Sequence, residues 1–312
     1  MRKLAHLMLL GSAFLWGINF ISMKYLTDVF PTFSLIFIRF LIASILLWCI
    51  LLYQRNSTDG FVQLDPKDYK QVIITSIIGY VLYFIFQLFA LKFLSANMTA
   101  LLCALIPIIS IPAESFYYKK RVHPTIYILS AVSLYGVYLV LNMSLTEAIS
   151  SQALWGILLM LSCILCWVLF TLITRTLQTK YDSLSMLTYQ STVATIIFGI
   201  TASGDINSAI QVMRQSDNTP TIIGNLLFLG IGSSAFAYLF YIEGMKRIGI
   251  QLSSLYMNII PIITALASYF VFRELMTSRQ LIGMIIVIVS IILINKIDAS
   301  QQIQNKPLTS AK

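Results

Sequence analysis

Charge is what this chain has least of. Asp, Glu, Lys and Arg make up only 11% of its 312 residues, against about 25% in soluble domains, too few to coat a water-soluble core. Histidine occurs only at His6 and His123, and the twelve acids sit mostly in loops or at the ends of apolar runs. The chain has no HExxH, no phosphate-binding P-loop, no GxSxG and no carboxylate cluster beside a histidine. Acid–base and nucleophilic catalysis rest on such groups, so an enzyme is not the expectation. The four cysteines, Cys49, Cys103, Cys163 and Cys166, all fall in apolar runs. Cys163 and Cys166 form a CxxC without a second pair, whereas zinc takes about four ligands. They read as ordinary buried thiols, and no metal or cofactor is expected.

Apolar residues fill the space, at 58% of the chain and a mean hydropathy of +0.84. The missing polar surface means that lipid is the solvent. Ten apolar runs follow one another: Leu4–Met23, Thr32–Tyr53, Val72–Leu91, Ala96–Tyr117, Thr125–Leu141, Leu154–Ile173, Leu184–Ala202, Ile222–Ile242, Leu252–Phe272 and Gln280–Ile294. They are long and continuous rather than short and alternating, which selects helices over a barrel. The first run, behind Arg2 and Lys3, is longer than the core of a signal peptide and reads as a retained span. Spans 1 to 10 are numbered in this order.

The net charge of +9 could suggest nucleic acid, but the basic residues lie in short clusters between runs and form no basic face. Membrane topology accounts for them. Fifteen Lys and Arg fall on the side of the N-terminus, five on the other, and Arg39 inside a span. That bias places both termini in the cytoplasm. The partners expected are therefore a small solute and membrane lipid, not nucleic acid, with a homodimer left open.

The two halves repeat. Trp16 and Lys24 align with Trp167 and Arg175 at an offset of 151; Gln87, Lys92 and Pro107 align with Tyr241, Lys246 and Pro261 at 154. The same register sets Lys120 against Glu274. The repeats cover residues 4–142 and 153–296, with 297–312 reading as a disordered cytoplasmic tail. Each repeat holds five helices, an odd number, so the second copy is inverted. The fold class is an all-α integral membrane protein of ten transmembrane helices in two inverted five-helix repeats. Alternating-access transporters use this architecture, with a site near the midplane between the halves.

Leu15-Trp16-Gly17-Ile18-Asn19-Phe20, Met23-Lys24 and Ile38-Arg39-Phe40 resemble the opening of an EamA-type domain of the drug/metabolite transporter superfamily. Ala90-Leu91-Lys92, Gly244-Met245-Lys246, Pro107, Pro261 and Phe272-Arg273-Glu274-Leu275 followed by Gln280-Leu281-Ile282-Gly283 are similar to its later marks. The resemblance runs from Leu4 to Asn295. It implies that spans 1, 3 and 4 of each half surround a central path, while spans 5 and 10 are peripheral. One departure stands out: Lys120 occupies the place of an acid that the second half keeps as Glu274.

Polar residues inside spans are costly and therefore informative. Arg39 lies seven residues into span 2, about 10 Å deep at 1.5 Å per residue; it reads either as an anion contact or as a structural arginine. Glu114 reads either as a coupling acid or as a surface partner of Lys119–Arg121, and Glu243 poses the same choice with Lys246 and Arg247 one turn away. Ser12, Trp16, Asn19 and Met23 form one stripe on span 1; Tyr80, Tyr83 and Gln87 another on span 3. Tyr238 and Tyr241 stand one turn apart on span 8, and Gln251, Ser254 and Asn258 line up on span 9. Polar stripes face protein or a cavity rather than lipid. The substrate-binding candidates are Trp16, Asn19, Arg39, Tyr80, Tyr83, Gln87, Tyr238, Tyr241 and Asn258. Pro107 and Pro261 each remove an amide hydrogen at the same point of the repeat and are the hinge candidates.

The function expected is an inner-membrane carrier that exports a small metabolite, such as an amino acid or a related compound. Uptake or exchange of a nucleoside-, vitamin- or sugar-like solute is the alternative within transport. A scaffold or sensor that moves nothing is the alternative outside it.

Overall fold

The computed structural model describes residues 2–57, 64–94, 96–119, 122–141, 151–272 and 277–304. Lys120, Glu274 and residues 305–312 lie outside them. Among the described residues eight helices are long and apolar enough to cross a membrane, and two shorter apolar helices, Leu101–Tyr117 and Pro124–Val140, complete the ten.

Spans 1 and 2 are single helices, Arg2–Val29 and Thr32–Ser57. Span 3 follows the turn Pro66–Asp68, opened by the Asp65 side chain, and runs through Tyr69–Ser76, Ile77–Leu82 and Tyr83–Phe93. Span 4 is Ala96–Cys103 and Ile106–Tyr117, and span 5 is Pro124–Leu141. Spans 6 and 7 are Ser151–Leu177 and Ser183–Ala202, the latter capped by Asp182, whose carboxylate accepts from Ser185 N at 2.8 Å. A short helix, Ile206–Gln215, precedes span 8, which comprises Thr219–Leu227, Phe228–Phe236 and Ala237–Ile248. Span 9 comprises Ile250–Leu255, Tyr256–Ile259 and Ile260–Phe272. Span 10, Ser278–Gln304, stays helical into the segment from residue 297 that the sequence suggested is disordered.

The repeat is visible in the irregularities. Spans 3 and 8 each contain a π-helical segment, Ile77–Leu82 and Phe228–Phe236, which overlap at the offset of 154. Spans 4 and 9 each break just before their prolines: Ala104 N and Leu105 N reach back only three residues, and Tyr256–Ile259 is a 3-10 turn. Pro107 and Pro261 then fall in the first turn of a new helix, where an amide hydrogen has no helical partner to lose.

Two equivalent pairs also touch one another. Trp16 and Trp167 meet edge to face at 5.5 Å. Ser44 Oγ lies 3.0 Å from Thr195 Oγ1. Spans 5 and 10 also approach closely, Gly136 against Gly283, but these two are not equivalent, since the offset of 154 sets Gly136 against Ser290. A residue that contacts its own copy lies on the pseudo-two-fold axis, so the two equivalent pairs place that axis between spans 1 and 6 and between spans 2 and 7. Large apolar side chains such as Leu7, Phe14, Leu158, Ile200 and Ile285 are exposed on the outside, as a lipid-facing surface requires.

On the side of the N-terminus the halves are also tied by polar contacts. Asp68 accepts from Lys180 Nζ at 3.1 Å and from Tyr181 Oη at 2.7 Å. The hydrogen bond to Asp68 holds the Lys180 ammonium above the usual lysine range.

Candidate functional site

A cavity lies beside the axis, lined from both halves. Trp16, Asn19, Arg39, Tyr83, Gln87 and Tyr238, six of the nine candidates, face it. Tyr80 and Tyr241 stand directly behind. Tyr80 stacks on Tyr238 at 5.0 Å, and Tyr241 packs on Trp16 and Trp167 at 5.3 and 5.2 Å. Asn258 is not brought to the cavity: it donates to Ser133 Oγ at 2.8 Å, fixing span 9 to span 5. The kink in Tyr256–Ile259 rotates Asn258 away and turns Met257 and Ile260 to the cavity instead.

The polar heart of the site is a chain across the two halves. Trp16 Nε1 donates to the Ser233 carbonyl at 3.1 Å, and Ser233 Oγ donates to Asn19 Oδ1 at 2.8 Å. Arg39 Nη2 donates to Ser233 Oγ at 2.9 Å and Nε to Ser234 Oγ. Its Nη1 lies 3.8 Å from the Met23 sulfur, and its guanidinium carbon sits 4.7 Å from the Phe84 ring centroid. Neither serine was singled out from the sequence, because two hydroxyls in an apolar run look like ordinary helix filler. Asking what could hold a buried Arg39 would have found them. Their placement comes from the π segment, which adds a residue to the turn and aims neighbouring side chains inward, a device frequent at functional sites.

Arg39 is therefore not a snorkelling residue. It is 1% exposed, and burying an arginine at membrane depth costs about 2.5–3.5 kcal/mol even on lenient scales. Its repeat equivalent, at the offset of 151, is Gln190, which is also fully buried and donates to Thr75 Oγ1 at 2.9 Å and Thr174 Oγ1 at 3.2 Å. The positive charge thus belongs to one half only.

Aromatic rings form the rest of the wall. Trp16, Trp167, Tyr238 and Tyr241 pack with centroids 5.2–5.8 Å apart, each such pair contributing about 0.5–1.5 kcal/mol beyond area burial. Gln87 Nε2 donates to Tyr83 Oη at 3.2 Å. The Tyr80 hydroxyl is buried with no hydrogen-bond partner among the described residues.

The acids fall elsewhere. Glu114 is buried rather than at the surface, and its carboxylate accepts from Gln251 N, the first turn of span 9, across the two halves. Gly249, at φ 93°, makes the turn between spans 8 and 9 beside it, a conformation that favours glycine. Arg175 Nη1 completes the corner by donating to the Met245 carbonyl at 2.6 Å. Glu243 pairs with Arg247 at 2.8 Å, as the spacing suggested.

The comparisons agree with this architecture. A solved crystal structure superposes with a TM-score of 0.76 over 94% of this chain and 98% of its own, at 16% identity, a likeness of fold alone. An "Uncharacterized transporter" of Archaeoglobus fulgidus is 25% identical over 302 residues, covering 94% of this chain and 98% of the relative. The "Uncharacterized transporter YyaM" of Bacillus subtilis is 24% identical over 290 residues, 92% of each chain. The "Uncharacterized inner membrane transporter YhbE" of Escherichia coli is 26% identical over 194 residues, 61% of this chain and 60% of its own. The model of the EamA-like transporter family matches residues 3–142 and again 154–296. Built of two inverted five-helix repeats around a shared cavity, this multi-pass membrane chain belongs to the EamA-like transporter family.

Proposed function

We propose that the chain exports a small organic metabolite across the cell's inner membrane by alternating access, with both termini in the cytoplasm. One observation carries this reading: a single cavity beside the pseudo-two-fold axis is walled by spans 1 to 4 of one half and spans 6, 8 and 9 of the other. Motion of one half against the other then changes which side reaches it. The lining pairs no carboxylate with a histidine, which favours a carrier over a catalyst. A growth challenge with a metabolite panel, with and without overexpression, tests the function. Resistance to one compound class supports export, sensitisation supports uptake, and no response to any compound while the protein is present in the membrane counts against transport.

Orientation is checked separately. In a cysteine-free background, Gly204→Cys is expected to react with an impermeant thiol reagent on intact cells, and Lys67→Cys only after permeabilisation. Labelling of both from outside refutes the inverted arrangement.

Pro107 and Pro261 act in this reading as paired hinges. Pro107→Ala and Pro261→Ala would allow the broken helices to become continuous. Each is expected to bind solute normally and exchange it roughly tenfold more slowly or worse, since about 1.4 kcal/mol on a barrier suffices. Wild-type exchange in both variants removes the hinges.

A further inference from the structure

Arg39 poses a question of charge. Its guanidinium is buried, and its partners are two serine hydroxyls and a thioether, none of which brings a negative charge. Among the described residues no carboxylate stands within salt-bridge distance of it. A guanidinium has five N–H groups, and these contacts engage three. The residue also lines the cavity, whose remaining polar lining, Asn19, Tyr83, Gln87 and Tyr238 above all, contains no acid. This cavity between the halves thus has a fixed positive charge toward one end and the indoles of Trp16 and Trp167 at the other.

Position sharpens the point. Arg39 is seven residues from the start of span 2, Gln87 six from the end of span 3 and Cys103 seven from the start of span 4. At 1.5 Å per residue all three lie about 9–11 Å from the membrane face opposite the N-terminus. Trp16 and Trp167, near the middle of their helices, close the other end. A solute arriving from the face opposite the N-terminus meets Arg39 before it meets the indoles.

We propose that the solute is a small organic acid whose carboxylate pairs with Arg39 and whose apolar body rests on the rings of Trp16 and Phe84. The proposal rests on the carrier reading above and narrows its substrate class. A carboxylate supplies the absent negative charge, and charge-assisted bonds to a guanidinium are the strong ones. An organic cation would place a second positive charge in a cavity with no acid to receive it. Because Ser233 and Ser234 belong to the other half, the solute's carboxylate competes with a contact that ties the halves together, which links occupancy to their separation.

The test uses the full-length protein in lipid nanodiscs. The probes are phenylacetate, 3-phenylpropionate and hexanoate, each compared with its amide and its amine, with tryptophan fluorescence and thermal unfolding as readouts. At least one acid is expected to bind saturably, roughly tenfold or more tighter than its amide and more so against its amine. Arg39→Gln is expected to bring acid and amide within about twofold of each other, and Arg39→Lys to keep part of the difference. Wild-type protein that binds acid and amide alike, prefers the amine or binds no acid overturns the proposal. So does Arg39→Gln with the preference intact, or sodium chloride alone giving the same response. If Arg39→Gln does not fold, the acid–amide comparison on the wild type decides. Proteoliposome flux separates the two readings. A protein that moves the amide but not the acid keeps the carrier and loses the organic acid; one that binds the acid but moves nothing does the reverse.

Discussion

Gly283→Ala is expected to abolish most folded protein, although it adds a single methyl group. A Cβ at this position would lie 2.5 Å from the Gly136 carbonyl oxygen, 2.7 Å from Val140 N and 2.8 Å from Leu139 Cβ. Two of the three obstacles are backbone, which cannot rotate aside, so spans 5 and 10 must part along their seam. Overpacking of this kind costs about 3 kcal/mol or more, a large share of the total stability of a domain. Gly136→Ala meets the same seam from the other side, 2.9 Å from the Gly283 carbonyl, and should behave alike. Gly224→Ala is the control, with nothing within 4 Å of the added carbon, and is expected to change stability by about 0.5 kcal/mol or less. The monodisperse fraction and unfolding temperature in detergent measure all three. A Gly283→Ala protein as stable as Gly224→Ala would refute the close approach.

Trp16→Ala should have the largest effect on transport. The side chain gives up its bond to the Ser233 carbonyl and its ring contacts with Trp167, Tyr238 and Tyr241. Replacing a buried tryptophan by alanine costs about 3–5 kcal/mol of packing, here at the joint where the halves meet. Flux per folded molecule is expected to fall by at least about tenfold, the effect of 1.4 kcal/mol on a barrier. Trp16→Phe keeps a ring and removes the N–H, so it should fold better and still lose part of the flux. Val287→Ala and Ile291→Ala, buried on span 10 away from the cavity, should lower stability and leave flux per folded molecule near wild type. Equal loss of flux in both groups would mean that the rings serve packing alone.

Much of this was readable in the chain. Ten apolar runs and an offset of 151 to 154 residues carry the topology, because hydrophobic length and duplication survive in one dimension. Polar stripes at helical spacing found Trp16, Asn19, Tyr83 and Gln87, because a straight helix preserves that spacing. Asn258 failed for the complementary reason: its stripe with Gln251 and Ser254 assumes an unbroken helix, and a 3-10 turn runs through it. Ser233 and Ser234 were missed because a π segment changes the turn that periodicity counts on. Glu114 was read as a coupling acid or as a surface partner of Lys119–Arg121, two of which lie outside the described residues; it is buried, and its carboxylate also accepts from Gln251 N on the other half, a contact that no local spacing reports.

The contacts on the axis have a property that the others lack. When two repeats of one design trade shapes, every contact between residue a and residue b reappears between their copies, and the original is given up. A contact between a residue and its own copy is returned to itself by that trade. Trp16 with Trp167 and Ser44 with Thr195 are of this second kind, whereas Arg39 with Ser234 is of the first. The indole pair between spans 1 and 6 and the hydroxyl pair between spans 2 and 7 can therefore serve as bearings. In the alternating-access cycle proposed above they would stay loaded throughout, while the contacts off the axis are made and broken around them.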